Sequence, residues 1–293
     1  MSFDPPAPAV RRAVAAALEE DLLPIGDLTA SLVDPAASGT AHFVSRGDGV
    51  LAGTACLLET HLQLDPTLAV AVHARDGDPV EPGQRLATVT GRWRSILSAE
   101  RTALNFVCHL SGIATLTRRY AAALDAVNPS CRLVDTRKTT PGLRALEKAA
   151  VRAGGGLNHR GNLSEGVLVK DNHLGSLGIA EAVASALRRW PGRMVEVECD
   201  RFEQVVSAVE AGATLVLCDN MTPDELERCA DHVHAHPRGR IGAVLVEASG
   251  GITLETIGDY ARAGADLISV GALTHSAPIL DIGLDLGLDS PGS

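Results

Sequence analysis

From Cys131 onward the chain repeats one pattern: a short apolar run ends in a charged or glycine-rich turn and then passes into a helical stretch. The apolar runs are Arg132 to Val134, Val167 to Val169, Val195 to Val197, Leu215 to Leu217, Ala243 to Val246 and Leu267 to Val270. Such short runs, separated by roughly 10 to 20 residues of helical periodicity, are typical of βα units around a parallel sheet. We therefore predict an α/β domain with parallel strands in this part of the chain.

The residues that follow these runs are the first candidates for a functional site. Parallel strands share one carboxyl edge, and the loops at that edge form the active sites of barrel enzymes. We expect several charged, serine and glycine residues to meet there, namely Arg137, Lys138, Lys170, Glu198, Asp219, Ser249, Gly250 and Gly271.

The first hundred residues have a different pattern, which predicts an α+β domain. Alternating apolar and polar residues predict antiparallel strands at Thr40 to Ser45, Leu68 to Ala74 and Arg85 to Thr90, and helical patterns cover Pro8 to Glu20 and Thr54 to Leu64. A long helix is predicted from Arg94 to Leu124. Gly112 interrupts it, which indicates close approach of backbone or ligand. The tail from Ser276 loses the βα rhythm, and we expect it to pack on the first domain.

Composition excludes several classes of function. The 293 residues carry a formal net charge of −10, whereas nucleic acid and anionic membranes require a basic surface. No apolar run approaches the ~18 residues of a membrane span, and the start MSFDPPAPAV lacks the features of a signal peptide. We expect a cytoplasmic protein whose anionic substrates, if any, bind to a local basic cluster.

Basic residues of that kind occur in three segments. Arg137 and Lys138, in DTRKTTPGLR, follow a buried strand, where adjacent cations are costly unless an anion or water reaches them; a solvated turn is the alternative. His159 and Arg160 follow three glycines, and Arg160 could bind a carboxylate through parallel N–H bonds or be an ordinary surface arginine. Lys170 ends a buried run, where a lysine is usually functional or tightly paired.

Acidic and glycine residues complete the candidate site. Glu198 and Asp219 could hold Mg²⁺ with its waters or accept hydrogen bonds from sugar hydroxyls. The alternative for both is an ion pair with the lysines above. The turns in EASGGIT and SVGALTH precede helical patterns, a position that favours phosphate binding. No Walker A motif or GxGxxG follows any predicted strand, so a P-loop or Rossmann site is not supported.

These motifs together resemble one family. The segments ERTALNFVCHLSGIAT, DTRKTTPGLR, Lys148 to Arg160, LVKDNH, VEVE, LCDNM, EASGGI and SVGALTH closely resemble quinolinate phosphoribosyltransferases, in order from about Asp21 to His275. The resemblance implies a pentosyltransferase that converts quinolinate and phosphoribosyl pyrophosphate into nicotinate mononucleotide, pyrophosphate and CO₂, with Mg²⁺ as cofactor. It implies an N-terminal α/β sandwich domain, residues 1–108 joined by 276–293, and a C-terminal α/β-barrel-like domain, residues 109–275.

The resemblance also implies roles for individual residues. Quinolinate would be bound by Arg101, Arg137, His159, Arg160 and Lys170, and Thr136 is a further expected substrate-binding residue. Glu198 and Asp219 would act on the ribose or the metal, and the phosphates would be held by Lys138, Ser249, Gly250, Gly251, Gly271 and His275. The enzyme would be a homodimer in which Arg101 is contributed across the interface.

Three other functions stay open at this point. A Schiff-base aldolase of barrel fold would use Lys170 or Lys138 as nucleophile. A non-catalytic carrier would rest on the biotinyl-like hairpin pattern of residues 76 to 91, which lacks a lysine at its turn. A related phosphoribosyltransferase with another acceptor would share most of these motifs.

Overall fold

The computed structural model describes residues 5–170, 178–236 and 242–287. They form two compact units, the first from the described residues of 1–118, 139–155 and 273–293, the second from those of 119–138 and 156–272. The domain limits given above remain a prediction. None of the helices in the described part of the chain is both long and apolar enough to span a bilayer.

The first unit contains a four-stranded antiparallel sheet. In sheet order its strands are β12 (Ile282–Gly287), β1 (Ser38–Ser45), β5 (Arg85–Arg92) and β3 (Ala69–Val72). The helices of this unit include α1 (Ala7–Leu22), α2 (Thr54–Leu64), the first part of α3 (Trp93–Asp125) and α4 (Arg144–Ala153). Buried residues of the sheet, such as Phe43 and Val89, share one core with Leu57 of α2 and Ile96 of α3. The α+β prediction is confirmed.

Two details of this unit bear on the sequence predictions. β12 pairs with β1, so the tail packs on the first unit as expected. The hairpin pattern at residues 76–91 predicts that two strands in this segment pair with each other, and this prediction is wrong. β4 (Pro79–Val80) pairs with β2 (Gly49–Val50), whereas β5 pairs with β1 and β3.

The second unit contains six parallel strands. In sheet order they are β6 (Arg132–Val134), β11 (Leu267–Ser269), β10 (Leu245–Ser249), β9 (Leu215–Asp219), β8 (Val195–Cys199) and β7 (Val167–Val169). Helices follow the strands, with α5 at Ile179–Arg189, α6 at Phe202–Glu210, α7 at Pro223–Ala235, α8 at Ile257–Arg262 and α9 at Ala272–His275. The βα alternation is confirmed, and it turns every strand's carboxyl end to the same edge.

The limits of β10 differ from the prediction. The apolar run Ala243 to Val246 predicts a strand that ends before Glu247, but the strand covers Leu245–Ser249. Glu247 is only 1% exposed and pairs in register with Leu217 of β9 and Leu267 of β11. Hydrophobicity alone misplaced the end because a charged residue is buried inside the strand.

Candidate active site

The carboxyl ends of the parallel strands surround a cavity of about 420 Å³ in the second unit. Its lining includes nine of the predicted site residues, Thr136, Arg137, Lys138, His159, Arg160, Lys170, Glu198, Asp219 and Ser249. The structure therefore brings the predicted cations and carboxylates to one cavity, as the parallel topology requires.

The remaining predicted residues lie in two places. Gly250 and Gly251 continue the turn after β10 with positive φ values of 98° and 60°, and Gly271 follows β11 at the start of α9. Arg101 and His275 belong to the first unit and are both exposed. His275 lies at the end of α9, where its Nδ1 is 2.6 Å from the hydroxyl of Ser276.

Lys170 and Glu198 form an ion pair at the cavity. Lys170 follows β7, and Glu198 lies in the neighbouring strand β8, so the register of the two strands brings the side chains together. The Lys170 ammonium donates to Glu198 Oε2. The alternative raised from the sequence, an ion pair between a candidate acid and a candidate lysine, is thus realised for this pair.

The two arginines of the cavity are close enough to influence each other. Burial lowers the pKa of Arg160, with Glu196 acting to raise it and the charge of Arg137 acting to lower it. Arg160 also donates through Nη1 to the carbonyl of Gly166 at 2.9 Å. Arg160 is partly buried and Arg137 is exposed, and the repulsion between the two like charges favours the binding of an anion beside them.

Asp135 holds the segment that carries His159. Its carboxylate is fully buried and accepts hydrogen bonds from Asn158 Nδ2 at 2.6 Å and from the His159 amide at 2.9 Å. The Leu157 amide donates to Leu133 of β6 at 2.8 Å, so the segment runs beside that strand. Asp135 was not among the predicted site residues, although it lies directly after a buried strand, at the edge where the other candidates were found.

His159 lies against two buried glutamates. Its Nε2 is 3.0 Å from Glu196 Oε2 and 3.5 Å from Glu247 Oε2, and the two carboxylates are 0% and 1% exposed. Its Nδ1 accepts the Arg160 amide hydrogen at 2.8 Å. From the sequence, Glu196 was identified only as sharing a strand face with Glu198. Glu247 was not identified, because the predicted strand ended at Val246 whereas β10 continues to Ser249.

The protonation of this cluster follows from its contacts. Burial lowers the pKa of His159, but the contacts of its Nε2 with Glu196 and Glu247 outweigh burial and raise it. The Arg160 amide opposes a second ring proton, because it points an N–H at Nδ1. We therefore assign the ring proton to Nε2, between the carboxylates. Burial raises the pKa of Glu196.

Two groups of residues offer possible metal ligands. His159, Glu196 and Glu247 place three possible donor atoms within 4.8 Å of one another. They fit a metal poorly, because a ligating Nε2 would need the proton on Nδ1, where the Arg160 amide donates. Glu198 and Asp219, at the ends of neighbouring strands, offer only carboxylate oxygens at the cavity and suit Mg²⁺ with waters in its remaining positions.

Comparison with known proteins identifies a family for both parts of the chain. Sequence models of the quinolinate phosphoribosyl transferase N-terminal and C-terminal domains match residues 27–111 and 113–285. A nicotinate-nucleotide pyrophosphorylase [carboxylating] of Mycobacterium leprae is 42% identical over 286 residues, 95% of this chain and 97% of the relative. A probable nicotinate-nucleotide pyrophosphorylase [carboxylating] of Bacillus subtilis is 40% identical over 267 residues, covering 90% and 89%.

A solved structure extends the comparison to the fold. The nicotinate-nucleotide pyrophosphorylase of Francisella tularensis superposes with a TM-score of 0.89 at 35% identity, covering 97% of this chain and 98% of that one. With both domain models matched in order and relatives similar along nearly their whole length, this chain belongs to the quinolinate phosphoribosyltransferase family.

Proposed function

We propose that this protein transfers the phosphoribosyl group of phosphoribosyl pyrophosphate to quinolinate, a step of de novo NAD biosynthesis. The products are nicotinate mononucleotide, pyrophosphate and CO₂. The observation that carries the proposal is the convergence of Arg137, Lys138, Arg160 and Lys170 on one cavity of a chain with net charge −10. Quinolinate has two carboxylates and the other substrate has three phosphates, so both need directed positive charge.

The contacts of Lys170 favour this reaction over a Schiff-base aldolase. A lysine nucleophile must be a neutral amine when it attacks a carbonyl. The Lys170 amine is instead engaged by the Glu198 carboxylate in an ion pair. Such an ion pair suits a residue that binds anionic substrate better than one that forms a covalent bond to it.

The carboxylates supply the second part of the mechanism. As the bond between ribose C1 and pyrophosphate breaks, positive charge grows on the sugar ring. Fixed negative charge from Glu198 and Asp219, acting through the ribose hydroxyls, stabilises that state without a covalent intermediate. Mg²⁺ bound by Glu198 and Asp219 would neutralise charge on the departing pyrophosphate.

The phosphates and the second product need fewer groups. Lys138, the turn from Ser249 to Gly251, Gly271 and His275 are the proposed phosphate ligands, since glycine turns expose backbone N–H groups. After transfer the pyridine nitrogen is cationic. The C–CO₂ bond then breaks with its electron pair moving into the ring, and a proton from solvent replaces CO₂, so we assign no dedicated base.

We propose further that the enzyme is a homodimer in which Arg101 of one subunit serves the site of its partner. Arg101 is exposed on α3. The first unit also exposes an apolar segment formed by Leu23, Ile25, Leu28 and Leu32, with exposures of 64%, 74%, 66% and 85%. Contiguous exposed apolar groups of this kind mark protein interfaces. A cytoplasmic location stays the prediction made from the sequence.

The test is a comparison of acceptors. The purified protein is incubated with phosphoribosyl pyrophosphate and Mg²⁺ and either quinolinate or nicotinate, and nicotinate mononucleotide and CO₂ are measured. We expect both products with quinolinate. Turnover of nicotinate instead would assign another acceptor, and borohydride trapping of a substrate on Lys170 without phosphoribosyl transfer would favour the aldolase.

Replacement of the arginines tests their role in acceptor binding. Arg137→Ala and Arg160→Ala should raise the quinolinate KM and lower kcat/KM about 10- to 1000-fold with folding intact, because each loses charge-assisted hydrogen bonds. Arg201→Ala, a surface arginine that is 63% exposed, is the control and should change neither constant. Unchanged kinetics in both cavity variants would remove these arginines from the site.

A further inference from the structure

The turn after β9 contains an unusual backbone conformation. Within residues 5–170, 178–236 and 242–287, Asn220 is the one residue other than glycine with positive φ, at 56°. Asparagine tolerates this left-handed conformation better than most residues, but glycine adopts it with less strain. The presence of asparagine instead of glycine at position 220 therefore needs an explanation beyond the backbone conformation.

The contacts of Asn220 supply that reason. Its side-chain Nδ2 donates to Asp219 Oδ2 at 2.7 Å, and its backbone amide donates to the carbonyl of Ser249 at 2.9 Å. Gly250 lies directly against it: a Cβ built on Gly250 would be 2.2 Å from Asn220 Oδ1 and 2.8 Å from the Asn220 backbone nitrogen. One residue thus touches both the carboxylate at the end of β9 and the turn after β10.

We propose that Asn220 is a positioning residue that fixes the Asp219 carboxylate relative to the Ser249–Gly251 turn. The inference rests on the proposed function, in which Asp219 acts on the ribose or its metal and the turn binds phosphate. The hydrogen bond from Asn220 Nδ2 fixes the position of Asp219 Oδ2. Because the carboxylate is planar and rigid, the same bond also sets the direction of Oδ1. The backbone contact and the close approach of Gly250 hold the turn at a set distance.

This arrangement has a consequence for the two substrates. Groups that bind ribose and phosphate of one molecule must keep their spacing, since a displacement of about 1 Å can cost a hundredfold in rate. The described contacts of Asn220 do not include Arg137, Arg160 or Lys170, the proposed quinolinate ligands. Loss of the Asn220 amide should therefore affect phosphoribosyl pyrophosphate selectively.

Asn220→Gly separates the side chain from the backbone. Glycine keeps the left-handed conformation and the amide that donates to Ser249, but removes the donor to Asp219. We expect kcat/KM for phosphoribosyl pyrophosphate to fall about 10- to 100-fold, the quinolinate KM to change less than about twofold, and the melting temperature to stay near that of the wild type. Asn128→Gly is the matched control, because Asn128 also uses its Nδ2, at 3.2 Å from the Ala261 carbonyl, but precedes β6.

A second variant and a binding measurement complete the test. Asn220→Asp keeps the size and the left-handed backbone but places a carboxylate beside Asp219, so it should weaken phosphoribosyl pyrophosphate at least as much. Wild-type kinetics in Asn220→Gly, or equal losses for both substrates with a lowered melting temperature, would overturn the proposal. Calorimetric titration measures the affinity for phosphoribosyl pyrophosphate with Mg²⁺ and needs no acceptor. If quinolinate proved not to be the acceptor, the binding defect of Asn220→Gly could therefore still be measured.

Discussion

Single residues at the cavity show a conflict between stability and position. Glu196 and Glu247 are buried carboxylates, and burial of charge costs free energy that an ion pair repays only in part. They meet His159 at Nε2, while its Nδ1 accepts from the Arg160 amide. The cluster therefore fixes the backbone that carries Arg160, a proposed ligand of quinolinate, at a cost in folding free energy.

Replacement of either glutamate by glutamine should separate these two effects. Glu196→Gln and Glu247→Gln remove a buried charge, so we expect the free energy of unfolding to stay the same or rise by about 1 kcal/mol. The carboxylate contact with His159 is lost as well, and kcat/KM for quinolinate should fall about tenfold or more. Urea denaturation and steady-state kinetics measure the two quantities.

An exposed glutamate provides the control for this pair. Glu210 ends α6 and is exposed, so Glu210→Gln should change neither stability nor kinetics. A large loss of stability in the buried variants with unchanged kinetics would mean that the cluster holds the fold rather than the site.

Some of these site residues could be predicted from the sequence and others could not, depending on whether chain topology, strand register or burial determines their position. Lys170, Glu198 and Asp219 follow apolar runs, and parallel topology alone brings such residues to one cavity. The pairing of Lys170 with Glu198 depends on the register of β7 and β8, which the sequence does not specify. Glu247 was hidden because a buried charge looks like the end of a strand. Asp135 had the right position but no chemical signal of its own.

At the scale of elements, α3 depends on one glycine. A Cβ on Gly112 would be 2.1 Å from the Pro278 carbonyl oxygen and 2.9 Å from Ile279 Cα, so the tail crosses the helix at this point. A close approach was predicted here from the sequence because glycine is otherwise unfavourable within a helix. That expectation is confirmed.

Gly112→Ala should therefore destabilise the protein although alanine is the better helix former. The helix propensity gain is about 1 kcal/mol, whereas contact with fixed backbone costs typically 1 to 3 kcal/mol or more. Thermal and urea denaturation should show a net loss. Arg119→Ala, at an exposed position of the same helix, should have little effect. An unchanged or raised melting temperature in Gly112→Ala would contradict the observed packing of the tail.

Asp65 connects the end of α2 to the elements that follow it. Its carboxylate accepts from the Thr67 hydroxyl at 2.6 Å and the Ser95 hydroxyl at 2.7 Å, and it pairs with Arg92 at 3.1 Å. Hydrogen bonds from Thr67 and then Ser95, with the charge of Arg92 adding to them, lower the pKa of Asp65 to about 2. The side chain is 8% exposed, so these contacts are largely shielded from water.

The pH dependence of stability follows from this lowered pKa. A depressed carboxyl pKa contributes stability that is complete above the unfolded value of about 4 and is lost as pH falls toward 2. Asp65→Asn should be less stable at pH 7 by roughly 1 to 2 kcal/mol, since an amide presents donors to Ser95 and Arg92. The difference from wild type should shrink between pH 4 and pH 2. Urea denaturation across this range measures the difference in the free energy of unfolding. Asp200→Asn is the control, because the Asp200 side chain is 69% exposed. A difference that is constant with pH would contradict the assignment.

Elements were predicted better than their ends. The alternation in the first unit and the apolar runs in the second identified the strands, because burial on one or both faces sets those patterns. Strands β8, β9 and β10 extend beyond the predicted ends to Cys199, Asp219 and Ser249. Each added segment contains a charged or polar residue that lines the cavity. The hydrophobic pattern therefore stops before the strand does, because the last residues of the strand serve the site.

For the whole molecule, the main question is which subunit supplies each residue of a site. Arg101 belongs to the first unit, and Lys170 and Glu198 belong to the second. Local sequence patterns are the same whether Arg101 serves the site of its own subunit or that of a partner, and only the family resemblance implies the second arrangement. The proposed homodimer makes a specific claim, that Arg101 completes the site of its partner.

Subunit complementation tests this claim. Arg101→Ala and Lys170→Ala are each expected to be nearly inactive as homodimers, and unfolding followed by joint refolding should form mixed dimers. If Arg101 acts across the interface, one site of each mixed dimer carries both substitutions and the other carries neither. Random pairing then restores about a quarter of wild-type activity, since about half of the dimers are mixed. Lys170→Ala mixed with Glu198→Ala is the control, because both residues line one cavity and no intact site can form. Activity no higher than that of the parent variants, or a monomer mass by light scattering, would show that each subunit uses its own Arg101.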